Sequence, residues 1–539
     1  MTEIALSNEG LSYNNTVVTN FSVSDILPCF SVQNPEKMVA IELKIHAPDG
    51  VHQVSADITS SITDQIRGAV PSCRLFMNKP ELIDAYLIQQ AASAGKGRIL
   101  CREFGLQRFN GNWIFIAGDE ILGNCGTADM VIHPSVSKAQ LAWDREGNKR
   151  EAVVRVLHAM SNNEMTVFPS FMYFCLSSLR SQVSGLVTTY PALYLTGQQN
   201  SGKTWLVEHY TQLYNDKETR NIYGNLDASS TDIGVIRVVS EFKDLVVAVD
   251  DLPKSSSPDV QRGRLAVMEK SIRFISNGSE RVTASKNVEE ASRRCQAGAV
   301  YTGEISLATA SILTRILEVP LTGHKKTAGV SDRADAATAF REWMLWLLSH
   351  LDTELDALKK RLKENHSGEH VRLEATKILL LWTTELFYRF ALEQDFIGED
   401  YYHGAMDQAE KIFDSLLTAQ AVKVQRIQAE VPHGNLSCYI LEGYHSGAFR
   451  IVCSRDEIKC DSDCLVEKDA LCIRTETLLE YLCGQSAFRT LTKKGMSKRL
   501  RDEGLLADTA EKRAATKKIK KKRYLELNLT VLKKSVQKY

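Results

Sequence analysis

No stretch of about 18 apolar residues occurs in this chain of 539 residues, so a membrane-spanning helix is not expected. The most apolar segment, Val167 to Leu179, is short and broken by Pro169 and several serines. The first residues, MTEIALSNEG, lack the basic start and apolar stretch of a secretory leader, which makes the cytoplasm the expected location. No disulfide framework is legible either: twelve cysteines are scattered along the chain and would stay reduced in that compartment. One cluster, Cys453, Cys460, Cys464 and Cys472, fits no common zinc spacing; only Cys460 and Cys464 come close, and small core residues are the expected reading. Internal repeats and long low-complexity linkers are absent too.

What is present is enough hydrophobic residue, 44%, against 24% charged, for a soluble globular protein with two to four domains. Net charge is zero, with 66 basic and 66 acidic residues, but it is unevenly spread. From Lys493 to Lys538 sixteen Lys or Arg face five Asp or Glu, a local +11 that leaves −11 elsewhere. Such a basic tail points towards nucleic acid.

Four regions follow from periodicity. Residues 1–145 read as an α+β domain, with a hairpin over Met38 to Ile58 around Pro48-Asp49-Gly50 and a second turn at Asn110-Gly111. A helix is expected from Pro80 to Ala94. His46 and His52 flank the first hairpin as surface residues. Residues 146–330 alternate apolar strands with helices, the pattern of a parallel sheet with crossover helices. Strands are expected at Ala192–Thr196, Asp244–Val249, Ala297–Thr302 and Ile316–Val319. Residues 331–425 are helical, with a break near Asn365 to Gly368, and form an expected lid. Within 426–539, helices 476–484 and 491–503 followed by strand-like segments around Lys517–Lys534 suggest a winged helix.

The chemistry lies in the second region. Gly197-Gln198-Gln199-Asn200-Ser201-Gly202-Lys203-Thr204 fits the phosphate-binding loop without a mismatch, after the apolar Ala192–Leu195 and before Trp205-Leu206-Val207. Its glycines let consecutive N–H groups point at phosphate oxygens, at the positive end of the following helix. Lys203 is expected to reach the β- and γ-phosphates of ATP, and the Thr204 hydroxyl to hold Mg²⁺. Downstream, Leu245-Val-Val-Ala-Val-Asp250-Asp251 reads as a buried strand ending in carboxylates, Asp250 for the metal and Asp251 for the attacking water. Aspartate is one methylene shorter than the glutamate many ATPases carry at that second position.

Three further segments occur in order: Arg273-Phe-Ile-Ser-Asn277-Gly278-Ser-Glu-Arg281, Tyr301-Thr302-Gly303-Glu304, and Thr314-Arg315-Ile-Leu-Glu-Val-Pro320. Together with Gly105 to Leu122 upstream, they resemble the MCM-like AAA+ ATPases of bacterial mobile elements, the cassette chromosome helicase type. The resemblance runs from about residue 85 to the end and is strongest over 190–325. It implies that the stretch 272–300 is a pore hairpin, with Arg281, Lys286, Arg293 and Arg294 as DNA phosphate contacts. Thr302 would stand at the sensor-1 position, where MCM proteins use asparagine. Arg315 would be the arginine finger acting on a neighbouring subunit, and Arg372 a sensor-2 arginine.

In a winged helix the second helix lies along a DNA groove and the wing touches phosphates, here Lys517, Lys518, Lys520, Lys521, Lys522 and Arg523. The expected fold is therefore multidomain α/β: an α+β domain, a P-loop AAA+ core, a helical lid and a C-terminal winged helix. The expected activity is ATP-driven DNA unwinding by a homo-oligomeric ring, a hexamer, with single-stranded DNA in its pore and duplex or fork at the winged helix. A DNA-bound ATPase switch that does not unwind DNA, regulatory or immune in role, is the alternative.

Overall fold

The computed structural model describes residues 4–7, 10–77, 79–126, 129–219, 224–227, 232–252, 258–278, 280–282, 292–304, 307, 309–321, 331–364, 371–430, 436–445, 449–460, 463–485, 488, 491–506, 516–520 and 522–536. Lys286 and Lys521, two of the expected DNA contacts, lie outside them.

Turn chemistry sets the N-terminal region. Met38–Ala47 pairs antiparallel with Gly50–Asp57, Ala47 opposite Gly50, so Pro48 and Asp49 form the two-residue turn. Gly105–Phe109 pairs with Asn112–Ile116 across Asn110 and Gly111, whose φ angles of 49° and 83° are those a primed turn demands. The first hairpin belongs to a five-stranded sheet ordered Met130–Ile132, Arg98–Cys101, Ser22–Ser31, Met38–Ala47, Gly50–Asp57. Helices Ile62–Ala69 and Pro80–Ala92 cover it through Ile62, Ile66, Ile83 and Leu87, all fully buried. His46 bonds Ser24 and His52 bonds Asp49, both near the surface as expected.

The central sheet is entirely parallel. Its order is Asn225–Asp227, Val246–Leu252, Gly298–Gly303, Ala192–Gly197, Ile316–Leu321. Four of these strands were expected and start within two residues of their expected positions. The chain leaves the Ala192 strand towards one edge, returns strand by strand, and then crosses to the other side. The direction of winding therefore reverses at the Ala192 strand, the place where open parallel sheets bind ligands beyond their strand ends.

The apolar segment from Val167 is a helix, Val167–Ser177, with all eleven residues buried. Pro169 is tolerated because it sits in the first turn, where no intrahelical N–H partner is required. Phe171 packs edge-on against Tyr210 and Phe387, Phe174 against Phe340, and Phe168 lies 5.3 Å from Phe413. The Tyr173 hydroxyl donates to the carbonyls of Pro191 and Ala299 at 3.1 and 2.9 Å. One apolar core consequently runs from the Phe104–Leu122 hairpins through the sheet to Val424. A buried carboxylate reinforces the joint. Asp244, held at φ 56° just before the Val246 strand, accepts from Leu106 N, Ser181 N and Ser181 Oγ at 2.9, 2.6 and 2.7 Å.

Helices Arg333–Leu347, Leu351–Glu364, Val371–Glu393 and Glu399–Glu430 occupy the third region. The last is anchored on the sheet edge: Glu318 pairs with Lys423 at 2.8 Å, and its N–H donates to Gln420 Oε1 at 3.0 Å. The C-terminal region has its own core, built from helices Leu436–His445, Thr475–Gly484, Lys493–Asp502 and Leu529–Val536 on one sheet. That sheet is ordered Arg450–Val452, Asp463–Glu467, Ala470–Ile473, Lys522–Asn528, Thr516–Ile519. Leu529–Val536 corrects the expectation of strand as far as Lys534. Asn528 Oδ1 accepts from Val531 N at 3.0 Å, and Leu529 and Leu532 are buried at helical spacing.

Pairing also separates the cysteines. Leu465 faces Cys472, so Cys464, one residue away, lies on the other side of the sheet, and the two are buried in different clusters. Among the described residues no metal-ligating group of three or more gathers, and no helix is long and apolar enough to cross a membrane.

Candidate nucleotide site and nucleic-acid interface

The expected phosphate loop leaves the Ala192 strand at Gly197 and ends where Gly202, at φ 91°, caps the helix Lys203–Tyr210. Asn200 also has a positive φ, 62°. A side chain at Gly197 would bring Cβ within 2.5 Å of Ser201 Oγ and 2.7 Å of Leu321 O, so only glycine fits between loop and edge strand. The Lys203 ammonium turns into the loop and donates to the carbonyls of Gly197 and Gln198 at 2.9 and 3.0 Å, with the residue 8% exposed. Ser201 Oγ is buried beside Gly197 and has no hydrogen-bond partner among the described residues. Thr204 is exposed at the start of the helix. A buried lysine in a glycine-bounded curl, at a helix N-terminus, suits an oligophosphate, so these residues fit the expected nucleotide.

Neighbouring strands bring the other expected residues to the same sheet end. Leu195 lies opposite Thr302 and Thr196 opposite Gly303, so Thr302, itself buried, ends beside the loop. One strand further, Val249 pairs with Tyr301 and Leu252 with Gly303, leaving Asp250 and Asp251 together across from Thr302. That irregularity is a bulge at the two acids, a device often found beside active sites. Asp227 pairs with Asp250 from the outer strand. Below the loop helix, Arg333 clamps the next segment through Gln212 O and Tyr214 O, both at 2.6 Å; burial pushes its guanidinium down to about 10.

Arg315 occupies the other end. Its carbonyl accepts from Ala192 N at 3.0 Å, at the start of the strand whose far end carries the loop. Its guanidinium donates to Ser311 O at 2.5 Å and Asn277 Oδ1 at 3.3 Å, and Arg372 donates to Thr314 Oγ1 at 3.4 Å. Burial, then the charges of Arg372 and Arg273, lower the Arg315 pKa from its ordinary value. The strand in between has six residues, about 20 Å, so Arg315 does not reach its own chain's loop.

Of the stretch 272–300, the first part is helix: Pro258–Asn277 continues to Asn277, and the hairpin proper is Glu280–Val282 paired with Ser292–Arg294. The apolar residues Ile272 and Ile275, both fully buried, keep that last helical turn on the core. Arg281 pairs with Arg293 in the hairpin register, and Glu280 with Arg294.

In the basic tail, Thr516–Ile519 and Lys522–Asn528 form a hairpin, with Lys520 at φ 46° in its turn. Lys517 is committed to Glu467, which also takes Arg455 at 2.7 Å, and these two cations hold the Glu467 carboxyl down at about 2. Lys520 donates to Ile458 O at 3.0 Å. Lys518 and Arg523 pair across the hairpin, exposed, and Lys522 is exposed as well. Sequence reasoning missed a second set of cations. The helix Lys493–Asp502 buries Met496 and Leu500 and leaves Lys494, Lys498 and Arg501 exposed at spacings of four and three, hence on one face. The signal is legible in the sequence, where Met496 and Leu500, four apart, are interleaved with those basic positions.

No family model matches the chain, and no curated protein does. Among solved structures, the chain is similar to one described as "SCCmec type IV Cch - active helicase", with 12% identity, a TM-score of 0.51 and 99% of each chain covered. Two structures of JCV helicase with bound compounds align over 52% of this chain and 74% of theirs, at 12% and 14% identity and TM-scores of 0.21 and 0.20. The resemblance carried by the motifs thus holds at the level of the fold: from end to end, this chain has the fold of the cassette chromosome helicase Cch.

Proposed function

We propose that the protein is an ATP-dependent DNA helicase or translocase that works as a ring, in replication or mobilisation of a genetic element. The observation that carries this reading is the meeting of the phosphate loop, the Asp250–Asp251 bulge and Thr302 at one end of a parallel sheet within a fold shared with Cch along its whole length. Bound Mg²⁺·ATP would supply the phosphoanhydride bond and the divalent charge. Gly197 to Thr204 would hold the phosphates, Thr204 and Asp250 the Mg²⁺, and Asp251 would orient the attacking water while Thr302 positions it. Lys203 would exchange its two loop carbonyls for phosphate oxygens, offsetting negative charge as it develops.

The helices of residues 331–425 would act as the lid and the C-terminal unit as a winged helix on duplex or fork. There Lys494, Lys498 and Arg501 would run along the groove, with Lys518, Lys522 and Arg523 on the flanking backbone. The hairpin containing Arg281, Arg293 and Arg294 would meet single-stranded DNA in the pore. Since Arg315 and the loop stand at opposite ends of the sheet, a complete site needs two copies placed head to tail, the arrangement that closes into rings. A hexamer is the proposed closure and the cytoplasm the proposed location.

Strand displacement on a forked duplex tests the reading. The full-length protein with ATP and Mg²⁺ should release the labelled strand, and Lys203→Ala should release none while still binding DNA. Turnover of ATP without displacement would replace the helicase by the DNA-bound ATPase switch.

A further inference from the structure

Three guanidinium groups converge at the sheet end remote from the phosphate loop. Arg273 lies four residues before the end of the helix Pro258–Asn277, Arg315 just before Ile316, and Arg372 in the first turn of Val371–Glu393. Ser311 braces two of them: its hydroxyl accepts from Arg273 at 3.1 Å and its carbonyl from Arg315 at 2.5 Å. Among the described residues, the remaining partners of Arg315 and Arg372 are the neutral oxygens of Asn277 and Thr314. Arg273 is also paired with Glu269 Oε2 at 3.9 Å, a carboxylate whose other oxygen accepts from Thr309 Oγ1 at 2.5 Å. These neutral acceptors aim Arg315 and Arg372 without cancelling their charge, and the one carboxylate near Arg273 leaves the three cations with a net positive charge that an anion would offset.

That anion cannot belong to the same chain's nucleotide site. Tyr190 N donates to Ser276 O at 2.8 Å and Ala192 N to Arg315 O at 3.0 Å, which fixes the cluster beside the start of the strand that carries the loop at its far end. Arg273 keeps roughly half of its side chain in solvent, at 48% exposure, and so is open to a partner. We propose that Arg273 is a second cationic ligand, beside Arg315, for the polyphosphate of a nucleotide bound in the phosphate loop of a second copy of this chain. Ser311 sets the spacing of the two prongs, and Arg372 adds charge behind them. The inference rests on the head-to-tail ring proposed above and adds to it a residue to which the sequence motifs assign no role.

Full-length Arg273→Ala and Arg273→Lys test it, with Arg315→Ala as reference. Arg273→Ala should bind ATP in its own loop within about twofold of the wild type yet lose roughly tenfold or more in kcat, short of the 10³ to 10⁵ that arginine fingers contribute. Lysine should restore only part, because it keeps the charge but not the planar fork. Mixed with Lys203→Ala subunits, Arg273→Ala should regain turnover, since some contacts then pair an intact loop with an intact arginine pair. If Arg315→Ala is rescued by mixing but Arg273→Ala is not, or hydrolyses ATP normally, the ring stands and the role of Arg273 falls. Normal hydrolysis with weakened DNA binding would assign the cluster to the DNA backbone and overturn the inference. If neither variant is rescued in mixtures shown to co-assemble, the head-to-tail reading itself is wrong.

Discussion

Asp244 offers a test of how the N-terminal hairpins are joined to the central parallel sheet. Its carboxyl is fully enclosed, and burial raises its pKa from 3.8 to about 6 in spite of Lys243 and the donors Ser181 and Leu106. A group whose folded pKa lies above its unfolded value contributes stability that is complete below pH 3.8. That contribution is lost as the pH rises through about 6. With 1.36 kcal/mol per pKa unit, the whole span is about 3 kcal/mol, of which about 1.4 kcal/mol falls between pH 5 and pH 8. Asp244→Asn keeps the shape and one acceptor but cannot ionise. Urea unfolding of both proteins across pH 5 to 8, followed through the buried Trp343 and Trp382, should therefore give stabilities that diverge at low pH. The wild type should lose the extra 1.4 kcal/mol or so on going to pH 8, while the variant should not; taking the difference removes every other titration. Parallel pH profiles would refute the assignment of a perturbed carboxyl at this joint.

Gly105→Ala strikes the same joint from the other side. Gly105 has φ +78° and its added Cβ would fall on the Asp244 side chain. Left-handed backbone costs a non-glycine residue about 1–2 kcal/mol before any clash, and the loss should be less than additive with Asp244→Asn in a urea-melt cycle. At the tail, replacing Lys494, Lys498 and Arg501 together by Gln should flatten the slope of log K against log salt for duplex DNA by about 2.7 units. An unchanged slope would mean that this helix face does not touch phosphate. Asp250→Asn should abolish ATP turnover as Lys203→Ala does, measured as phosphate release; normal turnover in either would sink the nucleotide site.

The sheet was legible because its strands are continuous apolar runs, Ala192–Leu195 and Val246–Val249 among them, and because a glycine-bounded loop with lysine has few other uses. The turn at Asn110-Gly111 was legible because few residues tolerate its φ angles, and the one at Pro48-Asp49 because proline and aspartate are turn formers. The sequence of Leu529–Val536 is ambiguous, because leucines three apart in a short segment fit a strand or a helix until the asparagine before them is recognised as a cap. The Arg273, Arg315 and Arg372 cluster lay beyond reach for a different cause. Its members are 42 and 57 residues apart, and nothing local announces that Ser311 holds two of them.

The helix Val167–Ser177 has a bearing on how the molecule comes apart. Eleven residues are too few to stay helical alone in water, so it exists only while its surroundings hold it. Those surroundings are the loop helix through Tyr210, the sheet through Ala299, and three of the later helices through Phe340, Phe387 and Phe413. Sheet, phosphate loop and helices 333–430 therefore share one unit of cooperative opening rather than melting piece by piece. A fragment cut to begin at the Ala192 strand would lose the keystone of that unit and expose a greasy hollow where eleven side chains had been. Conversely, whatever binds the loop stabilises residues tens of positions away that never touch it, because they cannot open separately.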